Sequence, residues 1–457
     1  MGLLNRVITT FKKKPVSQAD LVGKSTVTRR SLSVNLGIDF GTCYSKVCFS
    51  VGKDANFVKF PNSEYKDSVL FYDYDSKQLF YSKPNYNKNI DIIRYFKYSI
   101  NDDNLPKSNY LGNLDYEIKP EILCCIFFLA CLIKESKTYA IKHFSNISID
   151  IRFDSLILGV PIDNYEDKNK NLYDIIFHIA CKISDTVSKD SISIDALYEL
   201  YKQNKNIEIP KFGISKINTL SELYAESLAF LKNRNTLNGV YAVVDIGGGT
   251  VDMAIIYKEG DDNYSMLSKT IKPLGIEIIS NYIATKSIYV ETLKNNLMNN
   301  NFTDLSFINI EKRDEMQEKL RSAFASIVIE AKNRNREALE DISNGDVRVI
   351  LCGGGAYYKW YEAGIINNNI GMLRNQLPNK GLRLVKGKTD KLISETGINT
   401  HRLIIPYVLS QPIGQYINEL NGFPWHFVKK TNLYKPTDSH ERHYENIEKQ
   451  KEIYGED

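Results

Sequence analysis

Three consecutive glycines bracketed by aspartates are the residues of this chain best suited to chemistry. They lie in residues 241–257, YAVVDIGGGTVDMAIIY, where an apolar, β-branched run meets Gly247, Gly248, Gly249 and Thr250 and a second apolar run follows. Glycines in such a turn bring backbone N–H groups close to an anion with no Cβ in the way. Asp245 before the turn and Asp252 after it would stand beside the bound phosphate. One or two carboxylates are what a largely hydrated magnesium ion takes from a protein. The plain alternative is a tight hairpin flanked by two turn aspartates.

A second copy of the pattern stands near the start of the chain. Residues 35–49, NLGIDFGTCYSKVCF, read as an apolar strand, Asp39, a turn through Gly41, Thr42 and Cys43, and an alternating strand that includes Ser45. A third glycine run, Gly353, Gly354 and Gly355, closes the apolar segment VRVILC ahead of a helix, where it would let the backbone pass flat against a nucleoside. The elements needed to position these residues are two strand–turn–strand units in opposite halves of the chain. The expectation is two related lobes, each presenting a phosphate-binding turn to one central cleft.

In this order the three segments resemble the phosphate-1, phosphate-2 and adenosine motifs of the actin, sugar-kinase and heat-shock ATPase superfamily. DIGGGTVDMAI is most similar to the nucleotide-binding domain of the seventy-kilodalton heat-shock chaperones, and the resemblance runs over roughly residues 34–411. It implies an α/β, two-lobed actin-like ATPase fold, with duplicated RNase H-like lobes around a central nucleotide cleft. Lobe I would span 34–235, with a small inserted subdomain at about 57–110. Lobe II would span 236–411, with a reduced subdomain at about 276–312.

The resemblance also implies ATP/ADP and Mg2+ as cofactors and slow phosphoryl transfer to water. Asp39, Glu222 and Asp245 would hold the hydrated magnesium, and Asp252 or Asp245 would orient the attacking water. The cation facing the γ-phosphate would be Lys97, with Arg94 as the other reading of DIIRYFKYS. Gly41, Thr42 and Cys43, together with Gly247 to Thr250, would grip the phosphates, and Gly353 to Gly355 would flank the adenosine. Three positions depart from the family pattern: Leu223 for a proline, Ile276 for a second glycine, and Pro406 with Val408 for a pair of small residues. No adenine-clamping side chain can be named in the short segment before the helix expected at 313–342.

Composition narrows the classes. The chain has 457 residues, a net charge of +4, 43% hydrophobic and 25% charged residues, ordinary values for a soluble globular protein. The part expected to fold carries no large basic block of the kind that would suggest nucleic-acid binding. Seven cysteines without C-x-x-C spacing read as reduced core thiols in a cytoplasmic protein, and oxidation of Cys43 would block the first turn. The apolar run 122–133 is too short to cross a bilayer and reads as a buried helix opened by Pro120 and Glu121. That helix is expected to span 119–144 and another 173–189, with a pair of strand-like runs at 147–160. His143 and His178 have no second ligand at metal spacing.

The ends are expected to differ from the body. Leu3, Leu4, Val7, Ile8 and Phe11 share a helical face beside Lys12, Lys13 and Lys14. Residues 1–33 are therefore a weak peripheral membrane contact through 3–14, a partner-binding helix, or a flexible leader. Residues 412–457 carry an aromatic patch at 423–427 and a charged tail with His440 and His443, too little for a chaperone's peptide-binding domain. The expectation is an ATPase whose output is read by a protein partner or by self-assembly. A filament-forming actin relative, a sugar or acetate kinase, and a nucleotide-sensing scaffold that has lost hydrolysis remain the alternatives.

Overall fold

The computed structural model describes residues 31–412 except 53, 62, 86–88, 101–115, 146–148, 162–167, 187–189, 207–215, 232–236, 260–263, 303–305, 334–346, 367–382 and 385–399. The N-terminal amphipathic stretch, the aromatic patch at 423–427 and the two tail histidines lie outside the described residues.

Each half of the chain builds a sheet from a glycine hairpin outward. In the first half, β1 (Ser31–Phe40), β2 (Tyr44–Val51) and β3 (Asp54–Phe57) pair antiparallel, with the short β4 (Lys66–Asp67) also on β2. Then come β5 (Val69–Asp73), β6 (Gln78–Phe80), β7 (Ile90–Arg94), the one-turn α1 (Phe96–Ser99) and α2 (Pro120–His143). They are followed by β8 (Asp150–Val160), α3 (Lys168–Ser184), β9 (Ser191–Ser193), α4 (Ile194–Asn204), β10 (Ile217–Ser221) and α5 (Glu222–Leu231). The second half holds β11 (Gly239–Ile246), β12 (Val251–Lys258), β13 (Tyr264–Lys272), α6 (Ile276–Ile283), α7 (Val290–Asn299), α8 (Ile310–Lys332) and β14 (Val347–Cys352). It closes with α9 (Lys359–Ile366), β15 (Arg383–Leu384) and α10 (Thr400–Leu409).

The two large sheets share one strand order. The first runs β10-β8-β1-β2-β3 and the second runs β15-β14-β11-β12-β13. In both, a hairpin and a third antiparallel strand lie on one side, and two parallel strands complete the other. The chain is therefore a mixed α/β protein in which one sheet pattern occurs twice.

Strand alternation decides where the aspartates face. Val34, Leu36, Ile38 and Phe40 enter a core shared with the apolar helix α2, so Gly37 and Asp39 turn to the opposite face of β1. That face receives α10: a methyl group on Gly37 would overlap the Pro406 carbonyl oxygen and the Ser410 amide, which explains why a glycine stands there. In β11, Val240, Ala242, Val244 and Ile246 face the core built around α8, leaving Tyr241, Val243 and Asp245 on the other side. A separate apolar cluster joins that side to Leu223, Tyr224 and Leu228 of α5, to Ile404, Ile405 and Leu409 of α10, and to Ile157 of the first sheet. Helices α5 and α10 thus occupy the layer between the two sheets, and both hairpin aspartates end in it.

Several sequence expectations need adjustment. Residues 147–160 hold one strand, β8, among the described residues, where two runs were expected, because its register against β1 slips by one residue between Val34 and Asn35 without breaking the pairing. The helix expected at 173–189 is α3, which starts earlier and stops at Ser184, and the one expected at 313–342 is α8, Ile310–Lys332. The inserted strands β5 to β7 do not close their sheet alone, since β9 supplies the fourth strand by pairing with β6. The apolar run 122–133 is buried inside α2, and among the described residues no helix is long and apolar enough to cross a membrane.

Candidate active site

A cavity of about 640 Å³ is lined by both hairpin turns: Asp39, Gly41, Thr42 and Cys43 from the first, and Asp245 and Gly247 to Thr250 from the second. The turns are in direct contact. A methyl group on Gly248 would overlap Cys43 Sγ, and one on Gly249 would lie 3.1 Å from Thr42 Oγ1. Larger residues at either position would wedge the two sheets apart.

The start of α6 holds the second turn in place. The amides of Gly275, Ile276 and Glu277 donate to the carbonyls of Gly249, Gly247 and Gly248 at 3.1, 3.1 and 2.9 Å. The Gly247 amide closes the turn on the Thr250 carbonyl at 2.9 Å, and with the three glycine carbonyls engaged by α6 the turn offers the amides of Gly248 to Thr250, not its glycine oxygens, to an anion. These bonds also account for Ile276 in place of a second glycine. Its amide does the tethering and its side chain enters the core, while Gly275 alone makes the close approach to Gly248.

Charge is distributed unevenly between the hairpins. In the first, Asp39 is the cross-strand partner of Lys46, whose ammonium lies 2.5 Å from its carboxylate. In the second, the cross-strand partner of Asp245 is another acid, Asp252, and its neighbour on β14 is Cys352. Lys97 enters the cavity and donates to Glu222 Oε1 at 2.8 Å, with its ammonium 5.5 Å from the centroid of the Phe40 ring. Burial works against that ammonium, but the carboxylates of Glu222, Asp39 and Asp252 together outweigh it and raise the lysine pKa. Tyr95, in the left-handed region at φ 60°, turns the chain between β7 and α1. Arg94 is thereby left exposed and outside the cavity, whereas Lys97 is buried at its wall.

Not every expected residue reaches the cavity surface. Asp252, beside Asp245 on the next strand, is buried and does not line the cavity, and its Oδ1 has no hydrogen-bond partner among the described residues. Gly353 and Gly354 line the cavity, but Gly355 packs against the Ile246 side chain instead. Two of the three glycines therefore face the cavity, because the short 3-10 turn at Gly354–Tyr357 rotates the third into the core.

Other cavity residues escaped the sequence reading. Glu226 lies one helical turn beyond Glu222 on α5, a spacing legible as Glu-x-x-x-Glu but hidden in an apolar helix. Glu277, Glu291, Lys294, Tyr358 and Arg402 also line the cavity. Lys294 bridges Glu277 at 2.6 Å and Glu291 at 2.7 Å, and Tyr95 donates to Glu277 Oε2 at 3.1 Å. In sequence, Glu291 and Lys294 look like any solvent-facing pair on a helix.

Burial, then the Glu222 and Asp39 carboxylates, push the Asp245 pKa up from 3.8 to about 7. The folded state therefore holds a proton that the unfolded chain has already lost between about pH 4 and 7. Its contribution to stability falls as pH rises through that window. Asp245→Asn carries no such titration. In metal-free buffer its melting temperature is expected to gain on the wild type by several degrees between pH 5 and 8, from about 1.4 kcal/mol per pH unit inside the window. A difference that stays flat with pH would contradict this origin.

The donor set suits a hard divalent cation. Orphaned oxygens on Asp252 and Glu226 sit among acids whose neighbouring ammoniums are already paired. Among the described residues no three ligating side chains converge on one point, so a cation here would keep much of its water, as magnesium does.

No protein-family model matches the chain. Over 356 residues it is 23% identical to a viral protein of heat-shock type, a match covering 70% of this chain and 59% of that protein. The relative is the movement protein Hsp70h of Grapevine leafroll-associated virus 3 (isolate United States/NY1), and the chain spans less than two thirds of its length. The similarity supports a distant Hsp70-like relationship.

Proposed function

We propose that the chain is an Hsp70-like ATPase of two-lobed, actin-like architecture, with lobes at 34–235 and 236–411, that binds Mg-ATP between its hairpin turns and hydrolyses it slowly. The observation that carries this reading is the lining of one cavity by both glycine turns together with Asp39, Lys97, Glu222 and Asp245. The Gly41–Thr42 and Gly247–Thr250 backbones grip the β- and γ-phosphates. Asp39, Glu222 and Asp245 hold the hydrated magnesium, which neutralises phosphate charge when bound. Lys97 faces the charge that develops on the transferred phosphoryl group, and Asp245 orients the attacking water.

Gly353 and Gly354 lie flat against the nucleoside, and Glu291 and Lys294 offer an acceptor and a donor to its polar edges. Closure of the lobes on ATP and reopening after hydrolysis is the signal, read by a protein partner or by self-assembly. Calorimetric titration with ATP and ADP, with and without magnesium, tests the binding. Purified Asp245→Ala is expected to lose magnesium-dependent hydrolysis, and turnover at the wild-type rate would sink the assignment. Sedimentation with and without ATP separates a self-assembling protein from a monomeric switch.

A further inference from the structure

Glu226 has no part in the reaction outlined above, yet it is 0% exposed at the floor of the same cavity. Its one polar neighbour in hydrogen-bonding reach is the weak donor Cys352, and neither carboxylate oxygen meets a nitrogen or oxygen donor among the described residues. It shares a face of α5 with Glu222, and the like charges acting on it are Asp245, Asp39, Glu222 and Asp252. The two ammoniums of this cluster are committed, Lys46 to Asp39 and Lys97 to Glu222. Asp245, Asp252 and Glu226 are left with no ion-pair partner among the described residues. Burial disfavours the charged forms of all three acids, and a divalent cation seated among them would stabilise those forms.

We infer that Glu226 is a ligand for a divalent cation, which the protein binds by itself, before any nucleotide arrives. A cation delivered on nucleotide phosphates needs one or two protein carboxylates. Glu226 adds a further acid to the cavity lining, which moves the main hold on the cation from phosphate to protein. Because no three acids converge as the side chains stand, Glu226 and one further carboxylate reach the ion directly and water completes the shell. Oxygen-only donors select magnesium, manganese or calcium over zinc.

This inference uses the acidic cluster of the proposed site but not its nucleotide, so the two are tested apart. The full chain, stripped of metal and nucleotide, is titrated with manganese and free Mn2+ is followed by electron paramagnetic resonance, with magnesium and calcium as competitors. The wild type is expected to take up manganese, and Glu226→Gln to bind it at least tenfold more weakly while melting no lower in chelator. Its affinity for ATP in chelator is expected to stay within twofold of the wild type. Absence of manganese uptake by the wild type, or equal uptake by Glu226→Gln, overturns the inference. Should Glu226→Gln not fold, Glu226→Asp takes its place: a shortened carboxylate is expected to bind manganese more weakly, and unchanged affinity overturns the inference. Failure to bind ATP, by contrast, defeats the nucleotide reading and leaves the manganese result standing.

Discussion

Lys97→Met is expected to lower hydrolysis by about a thousandfold and stability by about 3–5 kcal/mol. Both effects come from one ion pair. Lys97 Nζ and Glu222 Oε1 are 2.8 Å apart and both side chains are buried, so removing the ammonium strands a carboxylate among other carboxylates. Methionine keeps most of the stem's volume, so little of the loss is packing. The double variant Lys97→Met with Glu222→Gln removes both charges and is expected to regain most of the lost stability, while hydrolysis stays lost. Urea unfolding and phosphate release separate the two readouts. A double variant as unstable as the single one would show that the stranded carboxylate is not the cause. Arg94→Met is the control and is expected to change neither, since Arg94 is exposed and outside the cavity.

The second large effect is expected at Gly353. It holds φ 75° and ψ −176°, a conformation that costs other residues about 1–3 kcal/mol. A methyl group there would overlap Asp245 Oδ1 and stand 2.6 Å from the Ile246 carbonyl oxygen, adding about 1–3 kcal/mol of overpacking. Gly353→Ala is therefore expected to destabilise by about 2–6 kcal/mol and to push Asp245 out of position, so magnesium-dependent activity falls with it. Gly354→Ala makes the contrast. Its nearest neighbour would be Arg402 Nε at 3.8 Å, leaving stability within about 1 kcal/mol of the wild type. Its added methyl would stand where the nucleoside is proposed to lie, and ATP affinity is expected to drop. Equal melting temperatures for Gly353→Ala and the wild type would refute the steric argument.

What the amino-acid order determined by itself is local. Asp-x-Gly-Thr and Asp-x-Gly-Gly-Gly-Thr between apolar runs dictate two hairpins, because glycine alone makes those turns cheaply and alternation puts each aspartate on the face away from the main core. The repeated sheet pattern follows from the same repeated signals. The cation at the cavity wall did not follow from them. DIIRYFKYS favoured Lys97 but left Arg94 open, and it is the left-handed turn at Tyr95 that puts Lys97 at the cavity wall and Arg94 outside it. The Lys97–Glu222 pair joins positions 125 residues apart, and β9 reaches back across the chain to finish a sheet begun by β5. Glu226, Glu291 and Lys294 became visible as a site only once α5 and α7 were placed against the hairpins. Period and turn chemistry report which way a side chain faces; only packing between distant elements settles what it faces, because burial and electrostatic neighbours are properties of the folded layers.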